Sequence, residues 1–164
     1  MKRRQEDVFE DFAREFIRRH RGPRPLWPVE RILVATDFSL CSLTALEHAE
    51  ELARSFAAEL LLLHAEEIPI GTAEMPRRSH AAAEHELART IQHLRDHHLE
   101  ARSLLCEGLA VEAILEAAAS ERASLIVMGT HGRTGVTHIL MGSVAERVVR
   151  GAPCPVLTVR RQDG

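Results

Sequence analysis

The sequence predicts a doubly wound α/β fold in which helices flank a five-stranded parallel sheet. Three runs, RILVAT, ELLLLHA and SLIVMGT, are almost continuously apolar instead of alternating with polar residues. Strands of this kind are buried on both faces, as in a parallel sheet covered by helices. With 164 residues, 45% of them hydrophobic, the chain is long enough for one well-buried domain.

Strand and helix patterns alternate from residue 31 onward. The first helix carries apolar residues at helical spacing, namely Leu43, Leu46, Ala49, Ala53 and Phe56. A polar loop containing Pro69, Gly71 and Pro76 precedes the second helix, and VLTVR supplies the last strand. Strands are expected at residues 31–36, 59–65, 101–106, 124–130 and 156–160, and helices at residues 39–56, 79–98, 111–120 and 143–150.

Residues 1–29 differ in character from the rest of the chain. One apolar stripe of an amphipathic helix is formed by Val8, Phe9, Phe12, Phe16 and Ile17, and the proline-rich linker RGPRPLWP follows. This stripe either packs on its own domain or contacts a partner such as a second subunit. The domain proper is expected to span residues 30–164.

Charge and composition exclude several classes of protein. The net charge of -3 and the lack of a basic stripe argue against a nucleic-acid partner. The longest apolar run is far shorter than the roughly 20 residues that cross a bilayer, and no signal peptide precedes it, so a cytoplasmic protein is expected. Cys41, Cys106 and Cys154 are odd in number and widely spaced, which predicts reduced thiols.

The only lysine is Lys2, so no lysine is placed to serve a Schiff base or a Walker-type phosphate loop. The segment after the fourth strand instead reads MGTHGRTGVTHILMGSVAERVV, in which Gly129, Gly132 and Gly142 have the spacing G-x2-G-x9-G and Ser143 follows. Glycines let the backbone approach a ligand, and a helix N-terminus offers unpaired amides to phosphate. The loop is either a nucleotide site or a simple connection, and its full spacing, ending at a helix start, favours the site.

Three segments resemble the universal stress protein family: RILVATDFS, LLLLHAEE and, most specifically, GTHGRTGVTHILMGSVAERVVRGAPCPVLTVR. The resemblance covers residues 31–161, and the N-terminal helix lies outside the usual family domain. It implies a Rossmann-like fold that binds ATP, or ADP or AMP, across the carboxyl ends of the first and fourth strands.

The resemblance also implies a role for each matching position. Ala35, Thr36 and Asp37 would meet the adenine and ribose, Ala65 would flank the base, and Met128 and Gly129 would meet the ribose. Gly132, Gly142, Ser143 and Val144 would hold the phosphates, with Mg²⁺ or Mn²⁺ bridging their oxygens. The family often has a bulkier aliphatic residue where Ala65 stands.

Several polar residues have two interpretations. Asp37 either belongs to the site or merely ends the strand and caps the next helix. His131 and Arg133, inside the loop, either contact phosphate or remain solvated. His93 and His97 have the spacing of a metal pair, but no third ligand is evident and a solvated helix face is expected.

These patterns favour a nucleotide-binding stress or signalling protein with no assigned catalytic residue and no metal site of its own. Its exposed last strand predicts a homodimer, which the resemblance also implies, and the protein partner is not identified. The alternatives are a slow ATPase or autophosphorylating phosphotransferase using Asp37, His131 and Ser143, and a nucleotide-free interaction module that works through the N-terminal helix.

Overall fold

The structure is a computed structural model that describes residues 28–67, 75–132 and 141–160, with side chains described from residue 80 in the second range. Within these ranges strands and helices alternate as the sequence predicts. They are β1 (Arg31–Ala35), α1 (Leu40–Phe56), β2 (Glu59–Glu66), α2 (Met75–Asp96), β3 (Ala101–Glu107), α3 (Ala110–Ser120), β4 (Leu125–Gly129), α4 (Ser143–Gly151) and β5 (Val156–Val159). The predicted N-terminal helix lies outside the described residues.

The strands form one parallel sheet in the order β3-β2-β1-β4-β5. Val34 of β1 pairs with Leu62 of β2 on one side and with Val127 of β4 on the other. The chain therefore builds outward from β1 to β3, then crosses back to build β4 and β5. This arrangement confirms the doubly wound five-stranded fold, and it places the strand-order reversal between β1 and β4, where ligands bind in such sheets.

Each face of the sheet has its own buried layer, because successive strand side chains point to opposite faces. Helices α1 and α2 cover the first face, whose fully buried side chains include Ile32, Val34, Leu60, Leu62, Leu87 and Leu94. Helices α3 and α4 cover the second face, with Leu33, Leu61, Leu63, Ile114, Ile126 and Val148. The sheet is thus buried on both sides, as its apolar strands predict.

Helix α2 begins at Met75 instead of near Ser79, which corrects the expectation that Pro76 belongs to the preceding loop. Proline is tolerated in the first turn of a helix, because the amide hydrogen that it lacks would have no intrahelical acceptor there. The helix ends at Asp96, two residues before the expected end, since His98 has a left-handed φ of 61°. The amide of Leu99 then bonds the carbonyl of Leu94 at 3.1 Å.

A group of ion pairs joins the amino ends of three strands, at the edge of the sheet opposite the strand ends that carry the predicted site. Arg102 of β3 contacts Glu59 of β2 at 2.8 Å and also Glu121 after α3. Arg31 of β1 pairs with Glu59 at 3.3 Å and donates to the Glu121 carbonyl at 2.7 Å. The hydrogen bond from Arg102 lowers the pKa of Glu121, and the same bond raises the pKa of Arg102.

All three cysteines are free thiols; Cys41 is buried and the other two are half-buried. Desolvation raises the pKa of Cys106 and of Cys154, so both are protonated at neutral pH. In the part of the chain that the structure describes, no helix combines the length and the apolar character needed to cross a membrane.

Candidate functional site

A cavity of about 890 Å³ opens beyond the carboxyl ends of β1, β2 and β4. Its volume lies within the range of roughly 300–1,000 Å³ typical of small-molecule sites. The predicted binding residues that line it are Ala35, Thr36, Asp37, Ala65, Met128, Gly129, His131, Gly132, Gly142, Ser143 and Val144. Arg133 lies outside the described residues. The fold therefore gathers segments from both halves of the sequence around one space.

The loop after β1 is held by short polar contacts. The Thr36 hydroxyl lies 3.1 Å from the Ser42 hydroxyl and accepts from the Phe38 amide at 3.0 Å. The Asp37 carboxylate accepts from the Ser39 amide at 3.0 Å. Ser39 in turn caps α1 by accepting from the Ser42 amide. Asp37 thus both lines the cavity and shapes the turn into α1, so the two interpretations of this residue are compatible.

The end of β2 contributes polar side chains that follow its apolar run. His64 is buried, and its Nδ1 donates to the Thr36 carbonyl at 2.8 Å. Glu66 is only 7% exposed and lies 2.9 Å from Nδ1 of His80 on α2. This hydrogen bond raises the pKa of His80, against a smaller opposing effect of desolvation and with added support from Glu84. The carboxyl end of β2 is therefore tied to both β1 and α2.

Gly129, the last residue of β4, and Gly132, in the loop that follows, each have a neighbour closer than a Cβ normally allows. A Cβ on Gly129 would stand 2.8 Å from Cys41 Sγ and 3.1 Å from the Cys41 backbone carbon. A Cβ on Gly132 would stand 2.7 Å from Oδ2 of Asp37. All three distances are below ordinary van der Waals contact, so the glycines allow the end of β4 and the loop after it to lie directly against the chain that follows β1.

The second half of this loop returns to the first half before α4 begins. The Gly142 amide donates to the Thr130 carbonyl at 2.7 Å, and the Thr130 amide donates to the Val159 carbonyl at 2.9 Å. The Thr130 hydroxyl lies 3.0 Å from Nδ1 of His131. Gly142 is the N-cap of α4, so the helix starts at the cavity with Ser143 and Val144. Amides of a first helical turn lack intrahelical acceptors and carry partial positive charge, which suits an anion.

The side chains that line the cavity give it an acidic wall. Among the described lining residues there are four carboxylates and no Lys or Arg; the carboxylates are Asp37, Glu66, Glu67 and Glu86. Glu66 and Glu86 belong to the side formed by β2 and α2, whereas Gly142 and Ser143 form the opposite end. The cavity is thus polarised, with Glu66, Glu67 and Glu86 toward α2 and main-chain amides at α4, whereas Asp37 lies against Gly132.

The sequence analysis did not identify every residue that lines the cavity. Additional lining residues include Phe38, Ser42, His64, Glu66, Ala82, Ala83 and Ile114. His64 and Glu66 could have been found from sequence, because polar residues at the carboxyl end of an apolar strand fall at the ligand edge of such a sheet. Ala82 and Ala83 carry no such signal, since their position depends on how α2 packs.

The histidine pair considered as a metal site lies at the end of α2, with His93 in its last turn and His97 just after it, and neither residue lines the cavity. His93 and His97 are exposed, with ring centroids 4.3 Å apart, and Nδ1 of His97 bonds the His93 carbonyl at 2.8 Å. Across the described ranges, no group of three or more His, Cys, Asp or Glu side chains is arranged to hold a metal ion.

The fold is that of an α/β protein with a cavity at its switch point, where the strand order reverses. Residues 28–160 match the family model described as the universal stress protein family. The chain therefore belongs to the universal stress protein family, as its sequence motifs indicate.

Individual relatives agree with this assignment. Universal stress protein MJ0531 of Methanocaldococcus jannaschii is 34% identical over 140 residues, covering 80% of this chain and 82% of the relative. The solved structure of MJ0577, from the same organism, has a TM-score of 0.78 at 29% identity and covers 84% of this chain and all of the other. A family member from Arabidopsis thaliana, solved with AMP bound, shares the fold with a TM-score of 0.63 at 22% identity, over 82% of this chain and 93% of that one.

Proposed function

We propose that this protein is a cytoplasmic adenine-nucleotide-binding member of its family, which acts in stress response or signalling through nucleotide-dependent interactions. ATP would lie across the carboxyl ends of β1 and β4. Its base and ribose would contact Ala35–Asp37, Ala65, Met128 and Gly129. Its phosphates would meet the loop and the first turn of α4.

The single observation that carries this proposal is the junction of the loops after β1 and β4 at the start of a helix. Gly132 lies against the Asp37 carboxylate, and Gly142 returns to Thr130 immediately before Ser143 opens α4. A carboxylate beside a glycine loop suits ribose hydroxyls, which donate hydrogen bonds, while the helix N-terminus suits phosphates. The junction therefore offers partners both for the ribose and for the phosphates of a nucleotide.

Relatives add support at the level of the family. A fold relative was solved with AMP bound, and another universal stress protein was solved in complex with cAMP. Both bound molecules are adenine nucleotides. This chain has Gly132, Gly142 and Ser143 at the positions where the family resemblance implies phosphate contacts, and Gly129 where it implies a ribose contact.

A divalent cation fits the same site as a companion of the phosphates. Asp37 and Ser143 offer oxygen atoms at the cavity, and hard cations such as Mg²⁺ or Mn²⁺ prefer oxygen ligands. When bound with ATP, the cation would neutralise phosphate charge near the Asp37 carboxylate. His131 and Arg133 are proposed as further phosphate contacts.

The direct test is mass analysis of the protein as purified and then denatured, followed by titration with ATP and excess Mg²⁺. We expect an adenine nucleotide to be released, and we expect the unfolding midpoint to rise with ATP concentration, because a ligand of the native state stabilises that state. Gly132→Val and Gly142→Val should abolish both effects. Ala119→Val, which changes an exposed alanine of α3, is the matched control and should bind as the wild type does.

Absence of released nucleotide together with an unchanged midpoint at millimolar ATP would reject the proposal. It would then favour a nucleotide-free interaction module that works through the N-terminal segment. Turnover is tested in the same samples by following ADP release. ADP release that is lost in Asp37→Ala while binding persists would favour the slow ATPase or phosphotransferase instead.

We also propose that β5 pairs with its counterpart in a second copy to form a homodimer. Strand β5 pairs with β4 and lies at the edge of the described sheet, and Leu157 on it is 38% exposed. Pairing across this edge would cover its backbone groups and the leucine. Light scattering should give a dimer mass that falls to the monomer mass in Leu157→Lys. Leu109→Lys, at an exposed leucine before α3, is the control and should stay dimeric.

A further inference from the structure

His64 occupies an unusual place in the pairing of β1 with β2. The backbone register between these strands ends at Ala35 and Leu63. One residue further, the Thr36 amide still donates to the Leu63 carbonyl at 2.8 Å. The Thr36 carbonyl accepts from the His64 ring at 2.8 Å, and because a carbonyl can only accept, Nδ1 carries the proton. A side chain therefore continues the ladder where main-chain pairing stops.

The same imidazole also contacts the residue on the other side of Asp37. The ring centroids of His64 and Phe38 are 4.6 Å apart, with the planes inclined at 40°. Phe38 has a φ of 61°, in the left-handed region that aromatic residues seldom adopt. A strained conformation persists only where surrounding contacts hold it. Here those contacts include the His64 ring and the Thr36 hydroxyl, which accepts from the Phe38 amide.

Asp37 lies between the two residues that His64 holds. We propose that His64 is a positioning residue for this site, which fixes Thr36 and Phe38 so that the Asp37 carboxylate stays against Gly132 at the cavity. The inference rests on the proposed nucleotide site, and it assigns His64 an effect on the ligand through Asp37. Because His64 is buried and hydrogen-bonded, its contribution is a fixed geometry of the loop.

Two substitutions separate the hydrogen bond of His64 from its ring. In His64→Phe the ring is kept and the donor is lost. In His64→Asn the amide nitrogen is as many bonds from Cα as Nδ1 is, so the donor to Thr36 is retained. We expect His64→Phe to weaken binding of ATP with excess Mg²⁺ about tenfold, the effect typical of one lost buried hydrogen bond. His64→Asn keeps the donor but loses the ring contact with Phe38, so it should weaken binding less than His64→Phe does, by about threefold. The control His85→Phe, at an exposed histidine of α2, should bind as the wild type does.

A double-mutant cycle tests whether the effect passes through Asp37. In an Asp37→Ala background, His64→Phe should change ATP affinity less than about twofold, because the group that it positions is gone. An equal loss in both backgrounds, or equal weakening by His64→Asn and His64→Phe, would overturn the inference. Wild-type binding with unchanged affinity in His64→Phe would also overturn it and leave the proposed function standing. Failure of the wild type to bind would overturn both.

Discussion

The Asp37 carboxylate lies so close to Gly132 that a Cβ at the glycine would stand 2.7 Å from Oδ2. The other carboxylate oxygen accepts from the Ser39 amide at 3.0 Å, which limits how far the side chain can rotate away. This contact joins the loop after β1 to the loop after β4. The two loops therefore cannot be altered independently, and substitutions at either residue should show it.

Gly132→Ala should lower the free energy of unfolding by about 1 kcal/mol, because the new methyl group overlaps the restrained carboxylate. It should also weaken ATP binding in a calorimetric titration. In an Asp37→Ala background the carboxylate is absent, so the same substitution should cost little stability. An equal cost in both backgrounds, measured by urea unfolding, would show that the overlap is not with Asp37.

Gly129→Ala should be more damaging, since its methyl group would meet backbone as well as a side chain. The Cys41 backbone carbon would stand 3.1 Å away and the Cys41 sulfur 2.8 Å away. We expect a loss of about 1–3 kcal/mol in urea unfolding. Adding Cys41→Ala removes the sulfur and leaves the backbone, so recovery should be partial. Complete recovery of stability would mean that the contact with the Cys41 backbone costs nothing.

The pair formed by His80 and Glu66 should make stability depend on pH. The pKa of His80 is raised above its usual 6.5 by its hydrogen bond to Glu66, so the folded state binds the proton more tightly. The stabilisation is fully present below pH 6.5 and is lost as the pH rises through the raised pKa. The gap in thermal midpoint between wild type and His80→Gln should therefore be larger on the acid side. A gap that widens with rising pH would contradict this sign, and His85→Gln controls for the substitution itself.

The ion pair of Glu121 with Arg102 should show the opposite dependence. The hydrogen bond from Arg102 lowers the pKa of Glu121 below 4.5, so its stabilisation is present above pH 4.5. It is lost as the pH falls through the lowered pKa. The difference in urea midpoint between wild type and Glu121→Gln should shrink on acidification. Glu146→Gln, which removes an exposed pair with Arg150 within α4, should change the midpoint less at neutral pH.

The strands of the fold were predictable because a strand that is buried on both faces has an almost continuous run of apolar residues. Leu60–Leu63 could not form a half-exposed strand, and their continuous apolar character indicates a strand between two helical layers. The boundary of α2 was not predictable in the same way. Pro76 ordinarily indicates a loop, and only the position of the helix start shows that it is compatible with the first turn.

The candidate site was predictable at positions where close packing of the backbone favours glycine. Gly129 and Gly132 stand out in sequence, and the structure places Cys41 close to the first and the Asp37 carboxylate close to the second. The contacts of His64 and Glu66 were not predictable, since they join β2 to the loop after β1 and to α2. Such contacts depend on strand order and helix packing, which a single sequence does not specify.

Because β1 lies beside β4, the cavity between them can form only late in folding. The two walls of the cavity come from distant parts of the chain and meet only after the crossover through β2, β3 and their helices has closed. Long-range pairing of this kind is slow to form. Neither half of the domain forms the cavity alone. A ligand in this cavity would therefore bind only to the fully folded domain.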